Sequence, residues 1–452
     1  MAQNFLVCDR EQAYLMPPSV GEWLMEGHLA WFVLDALERV DLAGIYGDYR
    51  LDGSGRAAHD PGMMVALLVY AYCVGERSSR RIERRCVEDV AFRVIAANHV
   101  PDHTTIARFR CRHAEALAEL FVSVLALCAQ AGMVKVGTVA VDGTKLCADA
   151  GMGANRCHPA IAQEVERILA EAATVDAAED VQFGEARGDE LPPELADPVS
   201  RRARLERAAV ELEAEEAARR AAELAAYEAK SAVREHHKQA TGSYPPGRPP
   251  QAPDPGKSTA RLEKAKRNIT DLDSRIMNAR GAHMQAYNAQ AAVGEGRVIL
   301  AAEITSSPND SAQLSRMLTQ TRENLDEIGH PDKIKCLLAD GGYWNTEQIT
   351  EAHQSATVVI VPTSSPLNQE REQGPRGGPQ ADRINKILAT QPGQRLYRQR
   401  ASIVEPVFAH IKHTRGITRL HRRGLRAAEH EWKLIAATHN LLKLFRYQPQ
   451  AA

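Results

Sequence analysis

The 452-residue sequence predicts an α/β protein. Its mixed or partly parallel sheet is interrupted by a long helical insertion and preceded by an all-helical region. Three observations predict this. Four short runs rich in Val, Ile and Leu, at 135–146, 297–305, 333–340 and 357–362, are bounded by Gly, Asp or Pro, as strands are. Helix-like segments at 311–329 and 345–354 alternate with the last three runs, which is the pattern of an α/β sheet. Residues 198–236, by contrast, are rich in Ala, Glu and Arg and have the composition of a long exposed helix.

Each element has a local reason. In PGMMVALLVYAYCVG (61–75), Pro61 opens a helix and Gly75 closes it. The basic segment SSRRIERRC (78–86) and then VEDVAFRVIAANH (87–99) continue the helical character. PDHTT (101–105) breaks the chain, and Thr104 or Thr105 caps one further helix that stops near Gly132. Short helices joined by Arg-bearing segments suit a DNA-binding module; a helical dimerisation or packing domain is the alternative. After the first strand, residues 155–280 read as a helical hairpin. Its first arm is 198–236, its second arm is 258–280, and TGSYPPGRPPQAPDPG (241–256) between them cannot be helical. The expected domains are therefore 1–132 (helical), 133–154 with 281–452 (α/β), and 155–280 (hairpin insertion).

Composition excludes several classes. With 44% hydrophobic and 25% charged residues, the chain is neither disordered nor fibrous. No apolar run approaches the roughly 18–20 residues that span a bilayer, and the N-terminus lacks the pattern of a secretory signal. Eight scattered Cys without a CxxC pair suit a reduced, cytoplasmic setting. The pairs or triplets Cys147, Cys157, His158 and His410, His413 lack zinc-ligand spacing. The net charge of −2 hides a split: residues 164–197 carry eleven acids against two bases, and residues 395–446 carry twelve Lys or Arg against three Glu. Such asymmetry suits a polyanionic partner for the basic part.

Three acids stand where catalysis needs them. Asp142 ends the first strand in VAVDGTK, Asp340 ends another in LLADGGYW, and Glu405 lies in the amphipathic stretch SIVEPVFAHIKH. A carboxylate at the C-terminal edge of a buried strand sits where open α/β sheets place their sites. Like charges gathered there repel unless a cation lies among them. A hard divalent cation with oxygen ligands is the natural partner. Two such ions about 4 Å apart clamp both oxygens of an in-line phosphoryl displacement. Taken singly, Asp before Gly is an ordinary turn or cap residue. Asp273 and Asp310 are second-tier candidates for the same reason.

Seven segments occur in family order: PGMMVALLVYAYCVGERSSRRIE (61–83), PDHTTIARFR (101–110), VAVDGTKL (139–146), DLDSRIM (271–277), YNAQAAV (287–293), LLADGGYWN (337–345) and YRQRASIVEPVFAHIKH (397–413). In these the chain resembles a bacterial insertion-sequence transposase of the DDE type. The resemblance implies a ribonuclease-H-like catalytic domain, with Asp142, Asp340 and Glu405 as the catalytic, metal-binding triad. It implies two Mg²⁺ ions per site, with Mn²⁺ as a substitute. Water would nick the transposon end, and the freed 3′-hydroxyl would attack target DNA. Tyr397, Arg400, Glu405 and Lys412 correspond to the family's Tyr–Arg–Glu–Lys signature. Four residues separate Arg400 from Glu405 where the commonest form has three, and Arg398 is the alternative. Glu405 and Lys412, seven apart, would share a helical face.

DNA contacts are expected from Arg77, Arg80, Arg81, Arg84 and Arg85, with Tyr397, Arg400 and Lys412 nearer the chemistry. Trp344 either stacks on a displaced base or closes the core. Arg415, Arg419, Arg422, Arg423 and Arg426 form a second basic group. Some of these cations could pair instead with Glu83, Glu88 or the acidic stretch. The expected partners are transposon terminal inverted repeats, target DNA and a second copy of the chain in a homodimer or higher oligomer, without a membrane. The setting is the bacterial cytoplasm at the nucleoid. Rival readings are a non-catalytic DNA-binding derivative, a metal-dependent nuclease without strand transfer, and an oligomerisation scaffold built on 198–280.

Overall fold

The computed structural model describes residues 22–49, 58–167, 198–279, 281–363 and 377–447. The acid-rich stretch lies outside the described residues beyond residue 167. The chain divides into two compact units, residues 1–146 with 288–452 and residues 147–287.

The first unit begins with seven helices: α1 (Leu29–Leu37), α2 (Ala43–Gly47), α3 (Pro61–Cys73), α4 (Ser79–Glu88), α5 (Val90–Ile95), α6 (His103–Arg112) and α7 (Ala114–Gln130). Helix α3 has Pro61 in its first turn, and Asp60 caps it by accepting from the Met63 amide at 2.8 Å. Its residues Met64 to Cys73 are all buried, which explains an apolar character on every face. The single helix expected after residue 104 is two helices, α6 and α7, bent by 71°. Asp102, not a threonine, caps α6, with its Oδ1 accepting from Thr105 N at 3.0 Å. Strand β1 (Thr138–Cys147) follows.

The second unit contains β2 (Asn155–Cys157), α8 (Pro198–Thr241), α9 (Pro255–Lys264), β3 (Lys266–Asn268), β4 (Arg275–Ala279) and the first half of β5 (Ala282–Gly294). Helix α8 has 44 residues, is largely exposed and carries i,i+4 pairs such as Arg202–Glu206 and Arg207–Glu211, both 2.7 Å. A small core of Ile161, Leu205, Ala208, Leu212 and Leu272 holds its N-terminal part. The second hairpin arm, expected as helix over 258–280, ends at Lys264. It ends where Ala265 turns extended and Lys266–Asn268 pair antiparallel with β2; at the end of that strand the Asn268 side chain accepts from the Thr270 amide at 3.0 Å and donates to Gly151 O at 2.8 Å. Strand β4 then pairs antiparallel with β5, Arg275 opposite Ala286.

Residues 288–294 of β5 belong to the first unit, which continues with β6 (Ile299–Thr305), α10 (Leu314–Glu327), β7 (Cys336–Leu338), α11 (Thr346–Gln354), β8 (Val358–Ile360), α12 (Pro379–Leu388), α13 (Gln391–Ala409) and α14 (Leu425–Phe445). Its sheet runs β6–β5–β1–β7–β8. β5 and β6 are antiparallel, whereas β1–β7 and β7–β8 are parallel, so the expected mixed sheet is present. Val139, Val141, Leu337, Leu338, Val359 and Ile360 are among its fully buried apolar positions.

Helix α14 packs on α7, α3 and β6. Asn440 on α14 pairs with the backbone of β6, accepting from Ile299 N and donating to Ile299 O at 2.8 Å each. Trp432 Nε1 donates to Gln290 O at 2.9 Å. The N-terminal helices thus share one compact unit with the sheet and do not stand apart as a separate unit. Among the described residues, no single helix is long and apolar enough to cross a membrane.

Candidate active site at the ends of the parallel strands

Register brings the first two acids together. Ala140 of β1 faces Leu338 of β7 in a parallel pair, so two residues further along each chain Asp142 and Asp340 are neighbours. Strand β1 does not end at Asp142 as expected; it runs on to Cys147 beside β5, while β7 stops at Leu338. Asp340 accepts from the Gly342 amide at 2.8 Å and caps the 3₁₀ turn Gly341–Tyr343. Asp142 accepts from its neighbour Gly143 N at 2.8 Å and from Arg400 Nη1 at 3.0 Å. Burial pushes the Asp142 carboxyl up to about 6; Arg400 opposes the shift and Asp340 adds to it.

Helix α13 supplies the third acid. Thr390 caps it, and Arg400 reaches from it to Asp142 and, through Nη2, to Glu405 Oε1 at 3.6 Å. One guanidinium therefore joins the first and third acids. Glu405 is the exposed member, its side chain 61% accessible. Tyr397 is half-buried beside Arg400; burial raises its phenol, and the guanidinium opposes that. Arg398 is exposed. Of the two arginines, Arg400 is the one that contacts Asp142 and Glu405.

Lys412 reaches the same strand, its Nζ donating to Lys145 O at 2.8 Å. It does not share a regular helical face with Glu405, because α13 ends at Ala409 and the chain turns through a π-helical segment, His410–Thr414. Pro406, which has no amide hydrogen, lies in the last turn before that change.

Other residues complete the surroundings. Asp310 Oδ1 accepts from Asn288 Nδ2 at 2.6 Å and Gln290 Nε2 at 2.8 Å, and Lys145 Nζ lies 3.7 Å away. Tyr343 is fully buried and donates its hydroxyl to Gln290 Oε1. Burial raises its phenol well above the ordinary value, and Asp310, Asp142 and Asp340 add to the shift. Trp344, of intermediate exposure, follows directly. Sequence reasoning ranked Asp310 second and passed over Lys145, Asn288 and Gln290. The signal was present, since all three lie in VAVDGTKL or YNAQAAV. Asp273 belongs to the second unit, 3.9 Å from Arg207.

The arginine cluster divides. Arg77 must be removed from the expected DNA-contacting set: it is 5% exposed, 2.9 Å from Glu431, and donates to Arg419 O. It precedes α4, so it shares no helical face with the others. Arg80, Arg81 and Arg84 are exposed on α4; Arg81 also lies 3.1 Å from Glu76. Arg85 pairs with Asp89 at 3.5 Å and covers the Phe92 ring. Arg415 is another correction, buried and donating to Tyr72 O and Ile435 O.

The donors suit a hard divalent cation, since they are carboxylates grouped at a partly desolvated strand edge. Asn288 Oδ1 beside them is buried without a hydrogen-bond partner. Among the described residues, no three His, Cys, Asp or Glu side chains stand close enough to form a metal cage. Arg400 and Lys145 balance the carboxylate charges here.

A family model described as "Transposase domain (DUF772)" matches residues 21–112, and one described as "Transposase DDE domain" matches residues 264–441. The second contains Asp340 and Glu405; Asp142 lies between the two matches. No curated protein matches the chain, and no solved structure does. The two matches together span more than half of the sequence, one over the N-terminal helices and the other over the strands and helices that carry the second and third acids. The chain belongs to the insertion-sequence transposases of the DDE type.

Proposed function

We propose that this protein cleaves DNA at the ends of an insertion sequence and joins the freed 3′-ends to target DNA, in a ribonuclease-H-like catalytic fold with Asp142, Asp340 and Glu405 as its metal-binding triad. One observation carries the reading: Asp142 on β1 lies near enough to Asp340, just past the parallel strand β7, for the second charge to raise the first carboxyl, and Arg400 ties Glu405 to Asp142. When bound, two Mg²⁺ ions, or Mn²⁺ in their place, would activate the attacking water or 3′-hydroxyl and stabilise the leaving oxygen.

The chain's own residues do the rest. Arg400 holds the Asp142 carboxylate in one orientation and steadies Glu405, and Tyr397 fixes Arg400 from the same helix. Lys412 places a cation next to the strand that carries Asp142, where a DNA phosphate would arrive. Trp344 offers a ring for an unpaired base at the Asp340 turn. Arg80, Arg81 and Arg84 supply phosphate contacts away from the chemistry. Two transposon ends must be brought together for joining, which favours a homodimer or higher oligomer acting at the bacterial nucleoid.

The test uses transposon-end DNA, Mg²⁺ and full-length protein. Asp142→Asn, Asp340→Asn and Glu405→Gln should each lower cleavage at least a thousandfold while end binding persists. Wild-type cleavage in any variant removes that residue from the triad. Nicked but never joined products would leave a nuclease without strand transfer.

A further inference from the structure

Asn288 and Gln290 are two positions apart on β5 and point to the same face of the sheet. Both donate to the same oxygen, Asp310 Oδ1. Asn288 Nδ2 also donates to Ser307 O at 3.2 Å. Both neighbours of that nitrogen are acceptors, so the amide can point only one way. Its Oδ1 is then left in a fully buried side chain with no hydrogen-bond partner. A buried carbonyl oxygen without a donor is costly, and such an atom calls for a cation or a donor that arrives later.

The orphaned oxygen is next to the candidate site. A Cβ on Gly143, the residue after Asp142, would stand 2.9 Å from both Asn288 Oδ1 and Asp310 Oδ1. Only glycine lets those side chains come this close to the Asp142 backbone. The other oxygen, Asp310 Oδ2, faces the Asp340 turn, 3.8 Å from where a Cβ on Gly342 would lie. Lys145 is the cation nearest Asp310, as Arg400 is for Asp142.

We propose that Asp310 and the Asn288 carbonyl oxygen belong to the cation-binding face of this site, as a fourth carboxylate and a neutral oxygen ligand for a divalent cation. The inference rests on the metal-dependent reading above and extends the ligand set beyond the triad. Gln290 acts as a positioning residue that holds Asp310.

Mn²⁺ binding to the full chain without DNA tests it, read from the loss of the free Mn²⁺ paramagnetic resonance signal. Thermal unfolding in chelator checks that each variant is folded. Asp310→Asn should weaken Mn²⁺ binding roughly tenfold to a hundredfold, and Asn288→Ala should weaken it several-fold. Asp310→Ser replaces the first variant if that one does not fold. Wild-type affinity in the Asp310 and Asn288 variants, with binding lost in Asp142→Asn, overturns this inference and leaves the triad intact. Wild-type affinity in all of them, Asp142→Asn included, overturns the metal-site reading and this inference together.

Discussion

Arg77 and Glu431 show how much a single buried charge pair can carry. Glu431 Oε1 faces Arg77, and its Oε2 accepts from the amides of His421 and Arg422 at 2.8 and 3.0 Å. Glu431→Ala would leave a guanidinium buried without its partner, so it should cost about 3–5 kcal/mol in urea unfolding; a loss below about 1 kcal/mol would show that the pair is not structural. From sequence, Arg77 looked like its neighbours, because density of charge says nothing about which side chain turns inward. A second pair reports on pH. His410 and His439 meet at 3.0 Å between their Nδ1 atoms, so one donates and one accepts. Burial, helped by Arg415, pushes His410 down to about 4, and burial holds His439 well below its ordinary value. Both stay neutral in the folded chain, while the unfolded chain takes up protons below about 6.5. Their contribution to stability is complete above about pH 6.5 and is lost as pH falls toward 4. His410→Gln should therefore narrow the gap between urea midpoints at pH 7.5 and pH 5; an unaltered gap would rule the pair out as a source of acid sensitivity.

Helix α13 carries Tyr397, Arg400 and Glu405, so its first turn matters to the site. Thr390 Oγ1 accepts from Gly393 N at 3.1 Å. Thr390→Ala should cost about 1 kcal/mol of stability and loosen the helix, lowering cleavage more than DNA binding; equal losses in both would assign the threonine to binding instead. Elements of this kind were legible to different degrees. β1, β6, β7 and β8 announced themselves through Val, Ile and Leu. β5 did not, since AHMQAYNAQAAVG is dominated by Ala, Gln and Asn, residues that favour strands weakly. It is a strand because β1 and β6 flank it, and its polar side chains turn toward Asp310. The segment after Lys264 misled in the opposite direction: its charged composition suits a helix, and the pairing of Lys266–Asn268 with β2 overrides that preference. Asp142, Asp340 and Glu405 were each visible as acids in suggestive places. Register brings Asp142 toward Asp340, and Arg400 bridges Asp142 to Glu405; a linear pattern displays neither.

Across the whole molecule, local charge is the property through which the proposed DNA contact is tested. Arg80, Arg81 and Arg84 are exposed on one short helix, and Arg81 is partly occupied by Glu76. Replacing all three with Ala should make the log–log dependence of DNA affinity on salt shallower by about 2–3 units. An unchanged slope would place the phosphate contacts elsewhere. The near-zero net charge concealed this local basicity, while the order of motifs along the chain disclosed the family before any geometry was known. The same order has a consequence during synthesis. Asp142 leaves the ribosome early, but its partners on α13 come near the end of translation, and α14 then has to settle on α7. A half-made polypeptide thus holds Asp142 without Arg400 or Glu405. Asp142 meets its guanidinium partner only when the last helices are made, so the carboxylate edge stays unassembled for most of translation.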